Sequence, residues 1–167
     1  FDGIDDYVTI PRINNNEISI SAWFYKNAND TTRNDAIFGG FRNNSNAQLR
    51  EGFELRFPSN NPNTLQFVLV TQDGGGAKIM ITATSNLTNS VGSWYHAVGA
   101  YNKTTGEQKL YVNGLLVNTQ THPAGNTVAP LTAYSDMRMG YSRVNAGYFN
   151  GVLDDVRLYK RALTDQE

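Results

Sequence analysis

The chain has 167 residues, with 14 Lys and Arg against 15 Asp and Glu, and no cysteine. Its length suits one domain with a full core. Near-neutral charge supplies no basic field for nucleic acid, and the lack of cysteine excludes disulfides and thiolate metal sites. No apolar run is long enough to cross a bilayer as a helix, so no membrane insertion is expected. The sequence starts on Phe1 and shows no signal segment. The expectation is a single monomeric module, residues 1–167, cut from a larger multidomain protein. Low charge (17% Asp, Glu, Lys and Arg) with many Asn, Thr, Ser and Gly residues fits an extracellular or cell-surface β-protein.

Period-two patterning runs through the chain. Phe1 to Ile10 reads as a short acidic strand at one end. Ile18, Ile20, Ala22 and Phe24 alternate with Ser19, Ser21, Trp23 and Tyr25, a strand with one apolar face. Ala36 to Phe41 is a second candidate. Phe53 to Thr71 reads as a hairpin turned at the Pro- and Asn-rich stretch Pro58 to Asn63. Lys78 to Thr84 and Trp94 to Tyr101 continue the pattern. Asn113-Gly114 between apolar runs predicts a type I′ turn that pairs Val112 with Leu115 and Leu110 with Val117, all on one face. Thr119 to Leu131 reads as a loop and Asp136 to Tyr141 as a strand. Gly151 to Leu163 is the closing strand, with Asp154 and Asp155 near its start. Leu163 to Glu167 starts a helical turn or leaves the domain. Many short strands without a 3.6-period segment predict an all-β fold, an antiparallel two-sheet β-sandwich of the jelly-roll type.

Five segments in order carry a resemblance: Phe1-Asp2-Gly3 with Asp6-Tyr7-Val8; Ile20-Ser21-Ala22-Trp23-Phe24; Trp94-Tyr95-His96-Ala97-Val98; Leu110-Tyr111-Val112-Asn113-Gly114; and Gly151 to Leu163. Together they resemble the LamG-like jelly-roll group of the concanavalin A-like lectin/glucanase superfamily. The resemblance implies two stacked antiparallel sheets with the first and last strands side by side. It also implies a structural Ca²⁺ near that pairing. Asp2 and Asp154 match the acidic positions, with Gly3 or a neighbour offering a carbonyl. Ca²⁺ takes about 6–8 oxygen ligands, and acidic termini brought together would repel without a cation. The same aspartates would equally serve as turn caps.

For a sugar partner the candidates are Arg42, Arg56, Arg138, Arg143, Tyr141 and Trp23. If Phe53, Leu55 and Phe57 face the core, Glu54 and Arg56 face away from it; if Met137 and Met139 are core, Arg138 also faces out. Guanidinium groups pair bidentately with carboxylate or sulfate, so an anionic polysaccharide or oligosaccharide suits an Arg-rich face. Ordinary solvated arginines give the same pattern. Trp23 is either a stacking platform or packed under a loop. Trp94 reads as core. Tyr134, Tyr141, Tyr148 and Phe149 fall in or beside loops, where exposed aromatics suit a ligand.

No catalytic constellation is evident. Glu51 and Glu54 are three residues apart and point to opposite faces of a regular strand, unlike the paired carboxylates of glycosidases. The expectation is a non-catalytic carbohydrate-binding module of a secreted or cell-surface protein, targeting it to a polysaccharide. The alternatives are a protein-binding adhesion or spacer domain, and a glycoside hydrolase or polysaccharide lyase with an unusual site.

Overall fold

The computed structural model describes residues 1–167. In chain order the strands are β1 (Val8–Pro11), β2 (Ile18–Lys26), β3 (Asp35–Arg42), β4 (Glu51–Phe57), β5 (Thr64–Gln72), β6 (Lys78–Asn86) and β7 (Trp94–Tyr101). They are followed by β8 (Glu107–Val112), β9 (Leu115–Thr121), β10 (Thr127–Val128), β11 (Asp136–Met139), β12 (Tyr141–Ser142), β13 (Gly147–Tyr148) and β14 (Gly151–Tyr159). One sheet has the order β1-β11-β3-β4-β5, with β6 and β10 both pairing β5. The other has the order β14-β2-β7-β8-β9, and β12 and β13 form a small separate hairpin. Named strand pairs are antiparallel throughout, so the fold is the expected β-sandwich.

Alternation builds the core. Ile18, Ile20, Ala22 and Phe24 of β2 point inward, as do Phe53, Leu55 and Phe57 of β4 and Leu65, Phe67 and Leu69 of β5. Each Ile, Leu or Phe among them contributes about 1.5–3 kcal/mol through removal from water. Phe24 meets Phe57 edge-on at 5.5 Å between ring centres, joining the two sheets. Met137 is buried in the same cluster and Met139 packs against it, as the alternation around Arg138 predicts. Phe149, a candidate loop aromatic, is also fully buried there, because it sits edge-on against Phe1 where the chain ends meet.

Three expectations are corrected. Asn113 and Gly114 do take positive φ (50° and 78°), as a type I′ turn requires. Val112 pairs with Leu115, but the register slips between Leu110 and Tyr111, so Leu110 faces Asn118 rather than Val117. Val117 (40% exposed) therefore leaves the core, and Leu115 (70%), though paired with Val112 as expected, is exposed beside the turn on the edge strand. Secondly, the first strand does not run beside the last. Phe1 exchanges two backbone hydrogen bonds with Gly151 (3.0 and 2.9 Å). Gly3, at φ 82°, then turns the chain away, and β1 joins β11 in the opposite sheet. Thirdly, the segment after Leu163 is not helical but folds back, and Asp165 accepts hydrogen bonds from Lys109 Nζ (2.8 Å) and the Tyr111 hydroxyl.

Candidate functional site

Cross-strand partners share a face, so register alone defines a row across the seven-stranded sheet. Val68, Glu54, Gly39, Arg138 and Thr9 follow one another through β5, β4, β3, β11 and β1, all pointing away from the core. A Cβ on Gly39 would come within 2.5 Å of the Phe53 carbonyl oxygen, so β3 and β4 leave no room for a side chain there. The floor between Glu54 and Arg138 is therefore bare backbone.

This face is not open throughout. Phe41, Val68, Val70 and Ala129 form a second buried apolar cluster on it, with Met80 and Val144 packed alongside. The β12–β13 hairpin lies over its neighbour: Ser142 Oγ donates to Glu54 Oε2 (3.2 Å). Glu54 is thus 1% exposed rather than solvent-facing. Burial pushes its carboxyl upward, outweighing the nearby Arg56 guanidinium and the Ser142 hydroxyl. Arg56 donates to Glu54 (3.3 Å) and, through Nε, to Gln66 (3.1 Å).

At the β1–β11 edge the face turns aromatic and basic. The Arg138 guanidinium carbon lies 4.2 Å from the Tyr7 ring centre and 4.9 Å from that of Tyr141. Tyr141 in turn packs on Tyr148 at 4.7 Å. Arg143 sits 4.3 Å over Tyr134. Asp136 joins the two arginines: Arg138 Nε donates to its Oδ2 (3.0 Å), and Arg143 Nη2 lies 2.5 Å from its Oδ1. Burial works to raise the Asp136 carboxyl, but Arg138 and Arg143 together hold it below the usual range. Arg138 has only Nε engaged, which leaves both terminal nitrogens as donors without a partner in the chain. Arg143 Nε is buried with no acceptor at all. Arg143 Nη2, for all its closeness to Asp136, is likewise buried without a well-formed hydrogen bond, so this guanidinium is held by charge and by the Tyr134 ring.

Three of the predicted ligand residues, Arg138, Tyr141 and Arg143, therefore come together, and Arg56 lies on the same face. Arg42 does not join them. It lies 4.0 Å from Glu51, whose carboxylate accepts from the backbone N–H groups of Thr132 and Ala133 (both 2.9 Å). Trp23 is on the outer face of the other sheet, beside His96 with 5.1 Å between ring centres and the rings tilted by 33°. Trp94 is beside it and 46% exposed, so the expectation that it is core is overturned. The reason is parity: Tyr95 and Ala97 take the inward positions of β7. Tyr7 and Asp136 complete the arginine cluster. Asp136 could have been read from its spacing of two from Arg138, and Tyr7 from Ile10 facing inward.

The acidic residues separate. Asp2 bridges Asn150, whereas Asp154 pairs with Trp23 four residues along, about 13 Å at the usual strand rise. No clamp between Asp2 and Asp154 forms. The turn at Gly3 instead gathers Asp2, Asp5 and Asp6, with one carboxylate oxygen from each within 4.8 Å of the others. None of those three is in an ion pair.

A family profile described as the concanavalin A-like lectin/glucanases superfamily, of the laminin G type, matches residues 2–167. Among solved structures, the chain is similar to the CBM40 of Ruminococcus gnavus IT-sialidase bound to α2,3-sialyllactose. That match has a TM-score of 0.68 at 15% identity and covers 92% of this chain and 80% of that one. It is also similar to mouse laminin α1 chain domains LG4-5, with a TM-score of 0.64 at 14% identity, covering 98% of this chain and 43% of that one. A third is leech intramolecular trans-sialidase, with a TM-score of 0.65 at 13% identity, covering 99% and 27%. No curated protein matches in sequence. At these identities the structural likeness is one of fold, and the profile match over nearly the whole chain carries the assignment: the chain belongs to the laminin G-like group of the concanavalin A-like lectin/glucanases superfamily.

Proposed function

We propose that this chain is a non-catalytic carbohydrate-binding module whose ligand is a carboxylated sugar held at the Arg138 edge of the seven-stranded sheet. The observation that carries the reading is Arg138 itself: a guanidinium flanked by the Tyr7 and Tyr141 rings, with both terminal nitrogens free. A planar donor pair suits a carboxylate, and aromatic walls suit the C–H faces of a sugar ring. The likeness to a CBM40 bound to sialyllactose, an acidic trisaccharide, supports the same class of ligand. Both Glu51 and Glu54 are already engaged by donors, which supports a binding rather than hydrolytic role. The module would sit in a secreted or cell-surface protein and carry it to an acidic glycan. A structural Ca²⁺ remains part of the proposal, held by Asp2, Asp5 and Asp6, since a donor set of three carboxylates suits that hard cation.

Affinity electrophoresis against uronic, sialylated, sulfated and neutral glycans tests the reading, alongside an assay for released reducing ends. Retardation by carboxylated glycans without product release is expected. Cleavage of any of them would overturn the non-catalytic claim. A second reading, protein adhesion, has one observation in its favour: Leu115, Leu116 and Val117 form an exposed apolar run on the edge strand β9. Tight protein binding lost in a Leu115→Ser, Val117→Ser variant, with no glycan retardation, would favour it.

A further inference from the structure

We propose that the opposite face of the sandwich carries a second ligand site, a shallow depression walled by Trp23, Trp94, Asp154 and Asp155, which takes an uncharged, hydroxyl-rich sugar unit. It shares no residue with the arginine cluster and does not rest on that assignment. The five-stranded sheet builds it by register. Trp23 pairs with Asp154 on one side and His96 on the other; two residues on, Tyr25 pairs with Trp94. The result is a continuous aromatic strip outside the core, with both indoles strongly exposed (42% and 46%). Exposed neighbouring indoles are costly to leave in water and give broad apolar faces for ring C–H groups.

The carboxylates beside them are oriented by a break in β14. The register shifts between Asp154 and Arg157, and Asp155 takes a left-handed backbone (φ 47°). A β-bulge of this kind re-aims side chains out of the strand's alternation. Asp154 accepts one hydrogen bond, from the adjacent Asp155 N–H to its Oδ1 (2.8 Å). Asp155 meets Arg157 through the same atom, Oδ1 (2.9 Å). Each carboxylate therefore keeps its Oδ2 without a donor from the chain. Free carboxylate oxygens beside an aromatic floor accept sugar hydroxyls in charge-assisted hydrogen bonds. These carboxylates, of which Asp155 is offset by Arg157, disfavour carboxylated and sulfated sugars, so the wall favours a neutral sugar over an acidic one, the reverse of the Arg138 edge.

The two walls hold both tryptophans of the chain. Tryptophan fluorescence, excited beyond the absorption of the nine tyrosines, therefore reports this depression alone. The test is a fluorescence titration with soluble neutral oligosaccharides of the gluco, xylo, manno and galacto series, beside tetramethylammonium and a Lys-rich peptide as cationic probes. A saturable shift with at least one neutral series is expected. It should be unchanged in Arg138→Ala and weakened at least tenfold in Asp154→Asn and in Trp23→Phe, both read at Trp94 and checked for unchanged melting temperature. No saturable response to any neutral series, or a response to the cationic probes alone, would overturn the proposal. Sialyllactose binding without any fluorescence change would leave the Arg138 reading intact and so separates the two.

Discussion

The Arg138 guanidinium carbon lies 4.2 Å from the centre of the Tyr7 ring, a contact between β11 and the residue just ahead of β1. The ring limits the guanidinium's freedom while Asp136 holds only its Nε. Pre-organisation of this kind lowers the entropy lost when a ligand binds. Arg138→Lys keeps the charge but loses the planar donor pair. It should weaken binding of a carboxylated glycan at least tenfold in isothermal titration, with Tyr7→Ala weakening it less. Full affinity in Arg138→Lys would mean that the planar fork is not used.

The second prediction concerns Lys26, which is fully buried and lies 2.9 Å from Asp35 and 4.0 Å from the Phe57 ring centre. Burial pushes Lys26 down and Asp35 up, and each opposes the other's shift through its charge. Removing one partner leaves a buried charge alone, which costs about 3–5 kcal/mol. Lys26→Met should therefore lower the melting temperature by roughly 10 °C. The double variant Lys26→Met, Asp35→Leu should recover much of that loss. If the double variant melts as low as the single one, the pair is not what Lys26→Met disrupts.

Acid should act through His122. Its Nδ1 meets Thr71 Oγ1 and its Nε2 meets Gln108 Oε1, both at 2.8 Å, and it is 1% exposed. Burial lowers its pKa to about 4. The unfolded chain takes up this proton near pH 6.5, the folded chain only near 4. Stability is thus fully present above about 6.5 and is lost as pH falls towards 4, by about 3 kcal/mol from this group. His96, also lowered by burial, adds to the trend. The imidazole resonances of His122 should titrate near pH 4; a midpoint near 6.5 would contradict this environment.

Calcium dependence can be assigned by variant. EDTA should lower the melting temperature of the parent chain, and Asp2→Ala or Asp6→Ala should abolish that shift, while Asp154→Ala should leave it intact. The reason is placement: Asp2, Asp5 and Asp6 cluster, and Asp154 belongs to the Trp23 depression. An EDTA shift lost only in Asp154→Ala would return the cation to the terminal clamp implied by the family resemblance.

Period-two alternation was enough to read the long strands, because an inward apolar residue and an outward polar one are distinguishable in sequence. The end of β9 and the two-residue strands β10, β12 and β13 are too short to show a period and fell in stretches read as loops or at a strand end. Ile20 against Trp23, and Met137 against Arg138, came out on the expected faces. What alternation does not encode is the partner of each strand. β1 was read as a neighbour of the last strand, but the turn at Gly3 sends it to β11, and that placement puts Tyr7 beside Arg138. Nor does it encode breaks. The slip at Tyr111 exposed Val117, and the bulge after Asp154 re-aimed Asp155. Glu54 faces outward as read, yet the β12–β13 hairpin buries it through Ser142, a long-range contact with no local signature.

The most direct test of acidic-glycan binding is calorimetric titration with α2,3-sialyllactose and with lactose in a Trp23→Phe parent, which disables the neutral-sugar depression on the other sheet, and in the same parent carrying Arg138→Ala. The prediction is saturable binding of sialyllactose by the parent, no acid-dependent gain in Arg138→Ala, and much weaker heats with lactose. Equal affinity for both sugars, or sialyllactose binding unaffected by Arg138→Ala, would contradict a carboxylate held at this edge.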